Sequence, residues 1–251
     1  VMTWPSKKPK PKAFGFSFIT QDGKTLVAMR KRGKGITVEK KLSGIMKTQG
    51  RWRSIVTPVD VELQHELPRT PLHLTSTGIQ AKDNYDPALS PASTCTPFNL
   101  PALFYGPAYL LDIRIDSKEV VFKHEFYGVT RKVVLNAEPR ETEKTGLFGV
   151  STGRIEGDAL VIESSQFPPS KWGITVASLP NGEGSDIPSS IEKRMMEQYS
   201  VSEDGGTLTV KYTLEDPVYL SQPYTGHARF MRVDDNTTLY DFDCDAGAGD
   251  G

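Results

Sequence analysis

Residues 194–214 read RMMEQYSVSEDGGTLTVKYTL, and the fold turns on this stretch. Its first part sets Met195, Glu197, Tyr199 and Val201 on one face at the two-residue period of a β-strand. Asp204-Gly205-Gly206 then turns the chain, and Thr207 to Leu214 carries it back. Strand, tight turn and strand in succession make the repeating unit of an antiparallel meander. Outward from this unit the same grammar recurs. Tyr109–Ile115, Lys118–Phe126, Tyr127–Leu135, Leu147–Glu156 and Asp158–Ser164 precede it as strand candidates, and Tyr224–Val233 and Thr238–Phe242 follow. Asp116-Ser117, Glu156-Gly157-Asp158 and Asp234-Asp235-Asn236 supply further turns. Ser189–Met196 is the one helix candidate, short and weakly amphipathic, and it reads equally well as a run into the next strand. The expected fold is all-β, a meander closing into a lipocalin-like barrel or folding as a sandwich.

Composition agrees. The 251 residues contain 22 Gly and 18 Pro, a turn-rich total, with 37% hydrophobic and 24% charged residues, as in a water-soluble globular protein. The longest apolar run, Leu100 to Leu111, is broken by Pro101 and Pro107 and falls short of the ~20 residues of a membrane-spanning helix.

The net charge of −1 hides a division. Residues 1–60 hold 14 Lys and Arg against only Asp22, Glu39 and Asp60, a net of +11 that leaves −12 for the remainder. Residues 1–62 read as a basic arm followed by a small β unit, with a hairpin about Gln21-Asp22-Gly23 and strands at Gly35–Glu39 and Trp52–Val61. Such a segment docks a protein partner, an anionic surface or the chain's own acidic part. Nucleic acid is disfavoured, because Phe14, Phe16 and Phe18 precede the Arg30-Lys31-Arg32 run instead of interleaving with it. Residues 63–107 lack periodicity and carry Pro68, Pro71, Pro87, Pro91, Pro97, Pro101 and Pro107, the mark of a wrapping connection and not of a packed element. Residues 108–251 form the main β domain.

Most motifs with chemical associations lack the context their chemistry needs. Gly149-Val150-Ser151-Thr152-Gly153 matches a hydrolase nucleophile elbow, but it leads into another strand where that chemistry needs a helix. His65, His73, His124 and His227 are scattered without zinc spacing, so no metal is expected. Asp241-Phe242-Asp243-Cys244-Asp245 begins like a calcium loop, yet Ala246 stands where that loop needs Gly. Gly33-Lys34-Gly35 lacks the strand–loop–helix frame of a phosphate cradle, and no cofactor is expected.

Strand parity points to one constellation. His124 shares a face with Val120, Phe122 and Phe126; Arg131 shares one with Tyr127, Val129, Val133 and Leu135; Glu197 and Tyr199 share one with Met195. If these apolar faces point inward, His124, Arg131 and Glu197 are carried toward the core, where charges must be paired. The group reads either as an interior Arg131–Glu197 bridge or as a ligand site of His124, Tyr127, Arg131, Glu197 and Tyr199.

From Tyr85 onward the order of motifs resembles an uncharacterised family of exported bacterial β-proteins, often preceded by a small β-domain. The pieces are Tyr85-Asp86-Pro87, Cys95-Thr96-Pro97, Pro101, Pro107-Ala108-Tyr109, Arg131, the G-x-S-x-G…G-D-x-L-V run from Gly149 to Ile162, Glu197, Glu215-Asp216-Pro217, Phe230 and Cys244. Ile155 stands where members carry Trp and Ser189 near a position where many have His, so no site built on those two residues is carried over. The family has no settled activity; the resemblance implies fold and a periplasmic or secreted location. It also places Cys95 and Cys244 at shared positions, which favours one bridge between them over two buried thiols. The leading functional reading is an exported barrel that binds a small, partly apolar ligand or serves as an accessory subunit. The alternative is a cofactor-independent lyase, isomerase or hydrolase acting through the interior His124, Arg131 and Glu197.

Overall fold

A computed structural model describes residues 45–55, 71–89, 91, 93–105, 109–137, 146–174 and 187–244. Nine strands form one closed barrel. In chain order they are β1 (Gly50–Ser54), β2 (Leu110–Ile115), β3 (Glu119–His124), β4 (Thr130–Leu135), β5 (Val150–Glu156), β6 (Ala159–Ser165), β7 (Arg194–Val201), β8 (Thr207–Glu215) and β9 (Tyr224–Val233). Each pairs with its sequence neighbours, and β1 pairs with both β2 and β9 to close the ring. The barrel, and not the sandwich, is the architecture.

Two features depart from a simple meander. Staves of strictly alternating direction cannot close a ring of odd number, and the nine meet this by running β4 and β5 parallel, through Val134 against Thr152 and Leu135 against Gly153. A 14-residue connection between these strands gives the length a parallel pair requires. The second departure is β1. The sequence groups it with the basic N-terminal unit, whereas Gly50–Ser54 is a stave of the main barrel. Trp52 explains its capture: fully buried, it donates from Nε1 to the Thr48 carbonyl at 2.9 Å while the Arg232 guanidinium lies 4.1 Å over its ring. The expected hairpin at 14–30 and strand at Gly35–Glu39 lie outside the described residues.

The core is the barrel interior. The inward faces of β2, β3 and β4 contribute Leu111, Ile113, Ile115, Val120, Phe122, Val133 and Leu135, and β6 to β9 add Leu160, Ile162, Met195, Tyr199, Leu208, Val210 and Phe230. Part of the Pro-rich connection joins them. Phe98–Tyr105 is buried throughout, with Phe104 against the rings of Tyr212 and Phe230, and the Tyr105 hydroxyl 2.5 Å from that of Tyr212. The prolines therefore bracket a plug, packed because its side chains are large and apolar even though they follow no period. A short helix, α1 (Ser76–Asp83), also lies in this connection, capped by Thr75, whose Oγ1 accepts from the Gly78 amide at 3.0 Å. Ser189–Met196 forms no helix; it turns at Ile191-Glu192 and enters β7. Thr238–Phe242 is a tail and not a strand. It is fastened by the Cys95–Cys244 disulfide, whose Cα atoms lie 5.8 Å apart across 149 residues.

Candidate functional site

Arg131 enters the interior from β4, opposite Phe122 on β3, and is 2% exposed. Glu197 meets it from β7 and is fully buried. The pair is bidentate: Nη1 donates to Oε2 and Nη2 to Oε1, both at 2.8 Å. Nη2 also reaches Ser164 Oγ at 2.7 Å and Ser151 Oγ at 3.1 Å, and the two hydroxyls lie 2.9 Å apart. The Tyr199 hydroxyl donates to Glu197 Oε2 at 2.6 Å. Rings of Phe122 and Phe148 stand 5.7 and 5.8 Å from the guanidinium carbon. One arginine thus holds side chains of β5, β6 and β7 from its place on β4.

The electrostatics follow from burial. Desolvation opposes the Arg131 charge, but the Glu197 carboxylate and its hydrogen bonds outweigh it and raise the pKa. Burial, reinforced by Glu197, pushes the Tyr199 hydroxyl well above its usual range, so it remains a donor. His124 is lowered to about 3, first by burial and then by the Arg131 charge, leaving a neutral imidazole. It makes no side-chain hydrogen bond among the described residues.

The structure therefore brings Arg131, Glu197 and Tyr199 into contact and sets His124 nearby without joining it to them. Tyr127 belongs elsewhere. It lies in the turn after β3 with φ +58°, not on β4, so the alternation that links it to Arg131 is broken. Its ring packs on Phe98, Phe126 and Phe242. Ser151 and Ser164 complete the polar group. Ser151 belongs to the Gly149–Gly153 motif, which the structure explains without catalysis. Gly149 enters β5 at φ +62°, where a Cβ would meet the Ser165 carbonyl, and β5 leads to β6 with no helix between.

A second buried cation continues the inward parity of Met195, Glu197 and Tyr199 one step before β7. Lys193, fully buried just before β7, donates to the Leu100 carbonyl of the plug and to the Gly173 carbonyl at 2.8 Å, with its amine 4.6 Å over the Phe167 ring. Burial lowers it to about 7, against the opposing pull of Asp216 and Glu197.

Hollows adjoin both regions. One of 250 Å³ is lined by Val129, Leu147 and Phe148 and by Arg131 and Ser151. A larger one, 1060 Å³, runs along the β5–β8 wall past Thr152, Glu163, Met196 and Thr213.

No family model matches the chain, and no curated protein matches it. Among solved structures it is similar to a REP1-NXSQ fatty acid transporter at 11% identity and a TM-score of 0.35, covering 74% of this chain and 96% of that one. It is also similar to a zebrafish ileal bile acid-binding protein complexed with cholic acid, at 12% identity and a TM-score of 0.33, covering 75% and 99%. Likenesses of this size carry no argument about a ligand; the barrel is read from its own strand pairing.

Proposed function

We propose that the protein is a ligand-binding barrel that takes a small, partly apolar molecule in the hollow beside Arg131. The observation that carries this reading is the mixed lining: apolar Val129, Leu147 and Phe148 together with Thr130, Lys132, Arg131 and Ser151, the last two joined by a hydrogen bond. Apolar walls with a few positioned polar groups are the usual form of a small-molecule site. At 250 Å³ the hollow lies just below the roughly 300–1,000 Å³ of common ligand pockets, so the ligand is small. An acid or base role for Glu197 or His124 is less favoured, because both Glu197 oxygens already accept hydrogen bonds and among the described residues no side-chain hydrogen bond orients His124. The Cys95–Cys244 bridge supports the exported location that the resemblance implies, since such bridges persist in oxidising compartments.

Native mass spectrometry of protein purified from its own host tests the reading. A bound small molecule is expected, and it should be lost in Leu147→Trp, which fills the hollow without altering the Arg131 cluster. A bare chain in both proteins, a protein partner in place of a small molecule, or an adduct that persists in Leu147→Trp defeats it.

A further inference from the structure

Away from Arg131, a hollow of 530 Å³ lies between the start of β2 and the C-terminal tail. Three rings line it, from Tyr109, Tyr240 and Phe242, with three carboxylates, from Glu125, Asp241 and Asp243; among the described residues no lysine or arginine does. Tyr109 and Phe242 meet at 73° with centroids 5.6 Å apart, forming adjoining walls of a corner. Phe126 and Tyr127 pack behind them. Tyr240 is 73% exposed, a large ring left on the rim.

Glu125 is the telling residue. It is 8% exposed, and its two oxygens accept only from backbone amides, Leu110 N and Tyr240 N, each at 2.8 Å. Among the described residues no cation pairs with it. A buried carboxylate without a counter-charge is costly, and a cation in the hollow it lines would supply one. The described residues contain no cluster of His, Cys, Asp and Glu fit to hold a metal ion, which turns the choice toward a larger, diffuse cation. Ring faces attract such a cation through their quadrupoles, and corners of aromatic rings recognise alkylated ammonium groups.

We propose that this hollow binds an organic cation, an alkylated ammonium group seated in the corner that Tyr109 and Phe242 form and neutralised by Glu125 and the tail aspartates. The disulfide at Cys244 holds the tail and so fixes the Phe242 wall. The site is independent of the hollow beside Arg131.

The test uses choline as probe and 3,3-dimethyl-1-butanol as its uncharged isostere, followed by NMR shifts of the full chain. Choline is expected to shift Tyr109, Tyr240 and Phe242 resonances saturably, and the alcohol to bind about tenfold more weakly or not at all. Tyr240→Ala, and Asp241→Asn with Asp243→Asn, change exposed residues and should preserve the melting temperature while weakening choline about five- to tenfold. Absence of saturable shifts, equal binding of the alcohol, or unchanged affinity in both variants overturns the proposal.

Discussion

Replacing Glu197 by Gln removes the counter-charge of Arg131 while keeping nearly the same volume. The guanidinium is 2% exposed and the carboxylate fully buried, so solvent cannot replace the lost partner. Two bonds between opposite charges at 2.8 Å become at best one, from the still-charged guanidinium to a neutral amide oxygen, and the site that accepts from Tyr199 loses its charge. Breaking a buried pair from one side costs about 3–5 kcal/mol, because a charge is left uncompensated. For a chain of this size that lowers the melting temperature by roughly 6–20 °C. Removing both charges, as in Arg131→Met with Glu197→Leu, leaves no orphan ion and should recover most of the loss. Ser151 and Ser164 still bond to each other in that variant, so their desolvation stays partly met. Circular dichroism in urea, with the parent, Arg131→Met, Glu197→Leu and their combination compared as a double-mutant cycle and Glu197→Gln measured beside them, gives the coupling. A Glu197→Gln protein within 1 kcal/mol of the parent (about a fivefold change in the folding equilibrium), or a double variant as damaged as the two singles summed, refutes the reasoning.

Three other outcomes follow from the same contacts. Lys193 is lowered to about 7 in the fold, so the unfolded chain binds the extra proton between pH 7 and 10.5. Stability should therefore rise with pH across that window, by an upper bound of roughly 5 kcal/mol, and the rise should vanish in Lys193→Met when the two are unfolded in parallel. His124, lowered to about 3, should show neutral imidazole nitrogen shifts throughout pH 5–8, and a midpoint near 6.5 in the NMR titration would contradict its placement. Gly226 lies where a Cβ would come 2.5 Å from the Tyr212 hydroxyl, so Gly226→Ala should displace that ring and destabilise by about 1–3 kcal/mol, read from the denaturation midpoint.

Much of the barrel was legible because antiparallel staves with one buried face alternate in sequence, and parity carried the reading inward to Arg131 and Glu197. Parity failed where the backbone left the strand. Tyr127 adopts a left-handed conformation that few non-glycine residues take, and the one signal beside it is Gly128, also left-handed, which marks the turn. The plug was hidden for a different reason: Phe98, Leu100, Leu103 and Phe104 are buried by insertion into a space others enclose, so no face alternates. Helix α1 buries only Gly78, and its stability comes from the Thr75 cap and docking near Tyr219, neither of which makes an apolar stripe. The parallel seam could not be read, since residue pattern does not record strand direction. Lys193 keeps the parity of Met195, Glu197 and Tyr199, but it precedes the strand and its partners are carbonyls, which every residue has, so nothing in the sequence marks what it would pair with.

That seam has a dynamic consequence. Where β7 and β8 are zipped from Arg194 opposite Glu215 to Val201 opposite Leu208, β4 and β5 share only the short register at Val134 and Leu135. Breathing of the wall therefore begins there, and amide hydrogens along Thr130–Lys132 and Gly149–Ser151 should exchange ahead of those in β7 and β8. The hollow beside Arg131 is lined by Thr130, Arg131, Lys132, Gly149 and Ser151, so a molecule bound there would close the gap and slow the exchange. Arg131, reaching from β4 to Ser151, Ser164 and Glu197, acts as a rivet that limits how far the wall parts.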